Sequence, residues 1–396
     1  MKVLSVKWFK ILPIKIKSII AIIPFFYELK KIKAAEIIFF FPSYHTGGAE
    51  RVHLDIVNSF KTSNTYIFFE AKSNSDNNKN EFIRNSNYYD VYELLKRSRI
   101  TKSIFRFLLI KTINNSKNTH TLFASYSSFF YTITPKIKKG LKKIDLTHSF
   151  SLSGKGIETS SLPYASFLTN RIVINERTLN DFKSLYEDNN LERYFNRIKI
   201  IQNGVSFKQN DFSIKKNNTI KICFVGRWSN EKRPELFLRI AKRTALKTSK
   251  FKFYFIGTNV NSHRKTIKEH STESLGEITN KEELIKLYKE FHYIFITSNR
   301  EGFPMVLMEA MSFGVVPVCT NVGGISEHII SEENGYLIDD NVDQEIIIKD
   351  FLRIIYSLES HQNYNDLSLN TYNYAKENFG IDVFKNSYRE LFLKKS

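Results

Sequence analysis

Two doubly wound α/β domains facing each other across a ligand cleft are the architecture this sequence predicts. Short runs of Ile, Phe and Val alternate with amphipathic stretches, the pattern of parallel strands with helices packed on the sheet faces. The alternation fails once, over residues 207–218, and then resumes. At 396 residues the chain is long enough for two domains, and no internal repeat points to a solenoid. Hydrophobic residues at 42% and charged residues at 25% exclude a mainly disordered chain, a collagen and a disulfide scaffold.

Residues 1–33 alternate Lys with Ile, Leu, Phe and Trp8, as an amphipathic segment lying in a membrane interface does. Their most apolar stretch, 19–27, is short, contains Pro24 and is flanked by Lys15, Lys17, Lys30 and Lys31, so it is not expected to span a bilayer. No small-residue cleavage site follows it, which argues against a signal peptide. Residues 36–41 read as a buried strand, Gly47 and Gly48 as a loop, and 49–60 as an amphipathic helix. Strands at 65–69, 120–124, 144–147, 171–174 and 198–201 complete an N-terminal domain over 34–206. The polar, aperiodic stretch 207–218 is the expected linker.

The second domain, 219–378, is read with strands at 220–225, 251–256, 293–297 and 315–319. Its expected helices cover 234–247, 281–291 and Met305 to Phe313, with Asn280 as N-cap of the second and Glu283 three residues on. Residues 379–396 are read as a helix crossing back to the first domain.

Subtracting 40 acidic from 59 basic residues leaves a net charge of +19. That excess suits an anionic partner, whether nucleic acid, nucleotide or membrane. A+T-rich coding, visible in the many Lys, Asn, Ile, Phe and Tyr residues, accounts for it equally well. Cys223 and Cys319 each fall inside an apolar strand, without the spacing of a disulfide framework or a metal cluster. A reducing cytoplasmic setting is therefore expected.

Four strand-to-helix turns carry candidate chemistry. In SNREGFPMVLMEAMSFG (298–314), Gly302 permits a tight turn and Pro304 stands at the expected first helical position. The amides near Phe303, Pro304, Met305 and Val306 then face out of the strand's carboxyl edge, where an anion would sit, between Glu301 and Glu309. In FVGRWSNEKRP (224–234), Arg227 and Lys232 are placed to converge on a phosphate. Gly47 and Gly48, after Thr46, let backbone approach a ligand, although they form neither a G-x-G-x-x-G fingerprint nor a P-loop. VGGISE (322–327) repeats the logic and brings Glu327 toward the same cleft. Each turn alone is equally an ordinary capped helix or a solvated basic loop.

Taken in order, these segments resemble the retaining glycosyltransferases of family 4, which have the GT-B fold of two Rossmann-like domains. The matching pieces are IQNGV (201–205), FVGRWSNEK (224–232), ESLGEITNKEELIKLY (273–288), SNREGFPMVLMEAMSFGVVPV (298–318), VGGISE (322–327) and NGYL (334–337). They are dense from 198 to 337 and thin before that. The resemblance implies that Glu301 faces the donor sugar near its reacting carbon and that Glu309 binds the nucleotide ribose. It implies that Arg227 and Lys232 neutralise the donor diphosphate, helped by amides after Gly302 and by the Gly47–Gly48 loop. His148, at a strand end, resembles a histidine lining the acceptor side and is the second catalytic candidate; His45 is the alternative.

A nucleotide-sugar donor, no cofactor and no metal follow from that resemblance, with the two cations doing a divalent ion's work. It also implies a glycan or lipid-linked acceptor in bacterial lipopolysaccharide, capsule or exopolysaccharide assembly, and an enzyme on the inner face of the cytoplasmic membrane. Two rival readings remain at this point. One is a nucleotide-sugar epimerase of the same build; the other is a basic nucleic-acid-binding protein, for which no usual motif is present.

Overall fold

The structure, a computed structural model, describes residues 14–45, 47–73, 76, 78–151, 154–207, 212–215, 219–360 and 363–393. The expectations for residues 1–13, for Thr46 and for 208–211 and 216–218 of the linker lie outside them. The chain divides into two compact units. The first comprises Met1–Val173, Asp181–Lys199 and Ser387–Ser396, and the second Ile174–Asn180 and Ile200–Asn386.

The first unit is built on a seven-stranded sheet in the order β3-β2-β1-β4-β5-β6-β7. Its strands are β1 Ile37–Phe41, β2 Thr65–Phe69, β3 Ser86–Asp90, β4 Thr121–Ser125, β5 Lys142–Thr147, β6 Asn170–Val173 and β7 Ile198–Ile200. Strands β1 to β6 pair in parallel. Every residue of β1, β2 and β4 is buried, as strands covered on both faces require. Alternation sends Ile38 and Phe40 into one core layer, while Phe39 and Phe41 meet Phe123 on the opposite side.

The basic segment at the N-terminus folds as a helix, Ile14–Ala34. Ile22, Phe25 and Ile32 are buried in the first unit's core, and Phe25 packs edge-on against Phe105 at 4.7 Å. Phe105 belongs to the helix Arg99–Asn114, which lies beside the N-terminal helix on the same sheet face.

The second unit has a six-stranded sheet in the order β10-β9-β8-β11-β12-β13, parallel throughout. Its strands are β8 Ile220–Val225, β9 Phe251–Ile256, β10 Thr272–Gly276, β11 Tyr293–Ile296, β12 Val316–Asn321 and β13 Tyr336–Asp339. The chain runs outward from β8 to one edge, then starts again at β11 toward the other. That reversal, between β8 and β11, is where a doubly wound sheet opens a crevice at its strand carboxyl ends.

Three strands, β3, β10 and β13, are absent from the reading of apolar runs. All three are sheet edges with half-exposed residues, so they lack the continuous apolar signal of a central strand. A second difference concerns Pro304. It stands outside the helix Met305–Met311, as an extended N-cap with φ −67° and ψ 130°, instead of at the first helical position. That helix ends at Met311 with Ser312 as its C-cap, short of the expected Phe313, and Gly314 follows with a φ of +66°, a conformation glycine adopts without strain.

The last helix, Ile381–Leu393, ends inside the first unit. Phe392 stacks on Phe60 at 4.7 Å and meets Phe123 at 5.3 Å. Phe392→Ala is expected to destabilise the first unit by about 3–5 kcal/mol, the usual cost of emptying a buried aromatic site. Urea denaturation followed by tyrosine fluorescence measures it, and a change under 1 kcal/mol would mean that this helix end is dispensable.

Candidate functional site

The crevice of the second unit is built by two loops that leave the carboxyl ends of β8 and β11. After β8 the chain passes Gly226, Arg227, Glu231 and Lys232 and enters the helix Pro234–Ala245 at Arg233. Arg233 is left-handed, with φ +48°, at a cost of about 1–2 kcal/mol for a residue with a Cβ. Its buried guanidinium offsets that cost by donating to the carbonyls of Thr297 at 2.6 Å and Ser298 at 2.8 Å, and by pairing with Asp340 at 2.7 Å. Arg233 thereby ties the β8 loop to the end of β11. The hydroxyl of Thr297 returns the contact by donating to the carbonyl of Lys232.

That tie sets Lys232 against Glu301. The ammonium lies 2.6 Å from Oε1 of Glu301, and the same oxygen accepts a 2.6 Å hydrogen bond from the Ser298 hydroxyl. The Glu301 side chain is 8% exposed, so the charge is largely withdrawn from water and is held by its two partners. Arg227, expected to converge with Lys232 on a phosphate, meets a different carboxylate of the chain. It is 58% exposed and pairs with Glu231 at 2.7 Å, while Glu231 also receives Arg300 at 3.0 Å. Each cation of the loop meets a carboxylate of the chain itself, because the crevice gathers both signs of charge.

Glu301 leads into the Gly302 turn, which is clamped from the side. The carbonyl of Gly302 accepts from the Gly324 amide at 2.8 Å and from Asn175 Nδ2 at 3.1 Å. Gly323 has φ +60°, and a Cβ built on it would lie 1.8 Å from the Glu301 carbonyl oxygen. The glycine pair of VGGISE therefore serves close backbone contact with the turn that carries Glu301. The carboxylate of Glu327, expected toward the same cleft, accepts from the amides of Glu176 and Arg177 at 2.9 and 2.7 Å at the start of the helix Glu176–Glu187. An acceptor at a helix start outcompetes a solvated position.

Beyond the turn, Phe303 is buried against His328 and Phe379, at 4.7 and 5.2 Å, and Pro304 and Met305 are buried too. What 303–305 can offer a ligand is backbone. Glu309 sits on the helix, partly buried, close enough to add its charge to burial in holding the Tyr288 phenol well above its ordinary pKa. The carbonyls of Phe313 and Gly314, past the helix end, accept from the buried Lys215 ammonium at 2.9 and 3.4 Å. Burial pushes Lys215 down to about 8.

In the first unit, Gly48 opens the helix Gly48–Asn58 and Gly47 is its extended N-cap. A Cβ on Gly47 would strike the Glu50 carboxylate, 2.3 Å away, and that carboxylate also takes His45 at 3.3 Å. His148 follows β5, with its Nε2 3.2 Å from Nε2 of the fully buried His53. Only one of the two nitrogens can donate, so the pair shares one proton when both rings are neutral. Phe41 stacks on His53 at 4.4 Å and Tyr126 on His148 at 5.8 Å. Burial holds His148 down to about 4, and burial followed by the charge of His148 holds His53 well below its ordinary value.

Sequence reading did not single out Ser298, Arg233, Asn175, Lys215 or His53. Arg233 was hidden within a run of charges, and Ser298 within the motif it begins. Asn175 lies 127 positions from its partner Gly302, beyond any local pattern.

Comparison with known proteins adds the following. Residues 206–373 match the family model of glycosyl transferases group 1. A 41.2 kDa protein of the cps region of Klebsiella pneumoniae is 26% identical over 209 residues, half of this chain, and the match spans 55% of that relative. The O-antigen biosynthesis glycosyltransferase WbnH of Escherichia coli is 26% identical over 304 residues, covering 74% of this chain and 82% of the relative. Among solved structures, Anabaena HepE in complex with UDP superposes with a TM-score of 0.71 at 15% identity, covering 90% of this chain and 99% of that one. The lipopolysaccharide outer core galactosyltransferase WaaB in its apo form gives 0.67 at 17% identity, covering 91% and 99%.

Two outcomes test the geometry. Gly323→Ala is expected to displace the Glu301 turn, because strain at positive φ and the 1.8 Å contact must both be relieved; a melting temperature within 1 °C of the parent would contradict it. Because the folded-state pKa values of the histidines lie below the unfolded value of about 6.5, their contribution is complete above that pH and lost as pH falls toward 4. His53→Leu is therefore expected to flatten the fall in stability between pH 7 and 5, read as the urea midpoint at each pH. An unchanged slope would mean that the pair does not titrate as one. Residues 206–373 are thus similar to the glycosyl transferases group 1, and the chain carries the GT-B fold.

Proposed function

We propose that this protein is a retaining glycosyltransferase of family 4, moving a hexose from a nucleoside-diphosphate donor to a glycan or lipid-linked acceptor in bacterial surface polysaccharide assembly. The observation that carries this reading is the Lys232–Glu301 pair, 2.6 Å apart at the sheet's point of reversal. Similarity to WbnH, whose name assigns it to O-antigen biosynthesis, supports the pathway, and the UDP bound in HepE supports the donor class.

The chemistry is one of charge development. As the glycosidic bond stretches, negative charge grows on the leaving diphosphate and positive charge on the sugar ring. Lys232 leaves Glu301 for the diphosphate and Arg227 leaves Glu231, so donor binding exchanges two internal ion pairs for contacts that strengthen toward the transition state. Glu301, released, faces the sugar and supports the cationic ring from a fixed turn. Glu309 takes the ribose hydroxyls. His148 lines the acceptor side, with its tautomer set by His53. These two cations take the role a divalent ion has elsewhere, so excess EDTA should leave the rate unchanged.

The test is calorimetric titration with UDP and UDP-hexoses, followed by assay of UDP release and of the anomeric configuration of the product. A charge-assisted hydrogen bond is worth about 1.5–3 kcal/mol, so Lys232→Ala should weaken donor binding by roughly 10- to 100-fold. Glu309→Ala should weaken it without abolishing it. Donor affinity unchanged in Lys232→Ala would reject the assignment of Lys232 to the diphosphate, and an inverted product would reject retention.

A further inference from the structure

Residues 212–215, in the stretch expected as a linker, are anchored in the second unit by their first and last side chains. Lys215 is 8% exposed, and its ammonium donates to the carbonyls of Phe313 at 2.9 Å and Gly314 at 3.4 Å. Phe212 stacks on Tyr372 at 5.1 Å, and a Cβ built on Gly314 would lie 2.7 Å from its ring. The Ser368 hydroxyl donates to the Gly314 carbonyl at 2.6 Å. Phe212, Lys215 and Ser368 thus meet at one point, the turn just past the helix Met305–Met311.

That turn is tied to Glu309 through the backbone. The Ser312 hydroxyl donates to the Glu309 carbonyl at 2.7 Å. The amides of Phe313 and Gly314 donate to the carbonyls of Ala310 and Met311 at 3.0 and 2.9 Å, and the Val315 amide returns to Ala310 at 3.1 Å. On the side-chain side, the Phe313 ring stacks on the buried Tyr288 at 6.0 Å. Seven residues are too few for a helix to hold itself, so its position is set by what packs against it.

We propose that Lys215 is a positioning residue for the nucleotide site, holding the end of the helix Met305–Met311 so that Glu309 meets the ribose. This rests on the assignment of Glu309 to the ribose hydroxyls under the proposed function. Stability alone does not account for the lysine, because desolvating an ammonium offsets much of what its bonds return. Burial lowers Lys215 to about 8, which leaves it charged at neutral pH. The Cys223 thiol, whose anion would compete for that charge, is pushed up by burial and stays neutral. What the charge supplies is direction: both of its acceptors stand at a helix end, where carbonyl dipoles favour a cation.

The experiment is a double-mutant cycle on the full chain, read by calorimetric titration with UDP and with a dideoxy form of UDP that lacks both ribose hydroxyls. Lys215→Met keeps the length of the side chain and removes its charge and its donors. It is expected to weaken UDP about fivefold, roughly the worth of one neutral hydrogen bond, and to change the dideoxy affinity by less than about twofold. In a Glu309→Ala background the same substitution should change UDP affinity by less than about twofold, because the group that Lys215 positions is gone. Lys215→Arg, which keeps a charged donor, should recover most of the UDP affinity. A melting temperature within about 3 °C of the parent keeps the comparison between folded proteins.

Equal losses for UDP and its dideoxy form, or losses that add to those of Glu309→Ala, would mean that the lysine serves the fold at large and would overturn the proposal. So would UDP affinity unchanged in Lys215→Met while Glu309→Ala lowers it. Affinity unchanged in Glu309→Ala would instead reject the ribose assignment itself, and this inference with it. Should Lys215→Met not fold, Ser368→Ala takes its place in the cycle: it removes one bond from the same turn and leaves the lysine, and the same non-additivity with Glu309→Ala is expected.

Discussion

The second unit is organised around one ion pair. Lys232 and Glu301 lie on the loops that follow β8 and β11, 69 positions apart, and meet at 2.6 Å because those strands are neighbours. A carboxylate with 8% exposure is costly to bury alone, and the lysine with the Ser298 hydroxyl offsets that cost. Arg233 makes the pair possible. By accepting a left-handed backbone and bonding the end of β11, it fixes the residue beside it, Lys232, at the distance the pair requires.

The glycines extend the same constraint outward. Gly323 admits the Glu301 carbonyl where any Cβ would intrude, and Gly324 with Asn175 holds the next carbonyl, that of Gly302. Glu301 is thus positioned by three segments distant in sequence, the β8 loop, the 322–324 turn and the stretch Ile174–Asn180. Rigidity of this kind places a charge before any ligand arrives, which is what electrostatic stabilisation of a developing charge requires.

Much of this was legible before any coordinates. The central strands β1, β2, β4, β8, β9 and β11 are predominantly apolar, β8 and β9 with one lysine each, and read plainly as strands. Edge strands β3, β10 and β13 did not, because half of each faces water. Residue types at the site were visible in the SNREGFP and FVGRWSNEK segments, but their partners were not. Spacing places Arg227 and Lys232 on one loop; it cannot say that Glu231 takes the first and Glu301 the second. Glu327 is the clearest case. Its motif placed it toward the cleft, and spacing could not show that the amides at a helix start 150 positions earlier donate to it.

Helix starts show how the chain distributes its carboxylates. Glu327 caps Glu176–Glu187, Asp343 caps Gln344–Ser357, and Glu158 accepts from the Ser151 and Gly156 amides at the start of Ile157–Ser160. At the crevice the pattern changes: the N-caps are Arg233 and Pro304, and neither makes a side-chain cap hydrogen bond. Met305–Met311 spans only seven residues, so its dipole adds little by itself. Under the proposed function, an anion at these loops would be held mainly by lysine and arginine, with amides orienting it. In the crevice Glu301 balances Lys232, while Glu231 balances both Arg227 and Arg300. Under the same proposed function, a diphosphate would answer Lys232 and Arg227 at once, where a monoanion would offer each no more than Glu301 or Glu231 already does, and the freed carboxylates would meet a sugar ring that becomes positive.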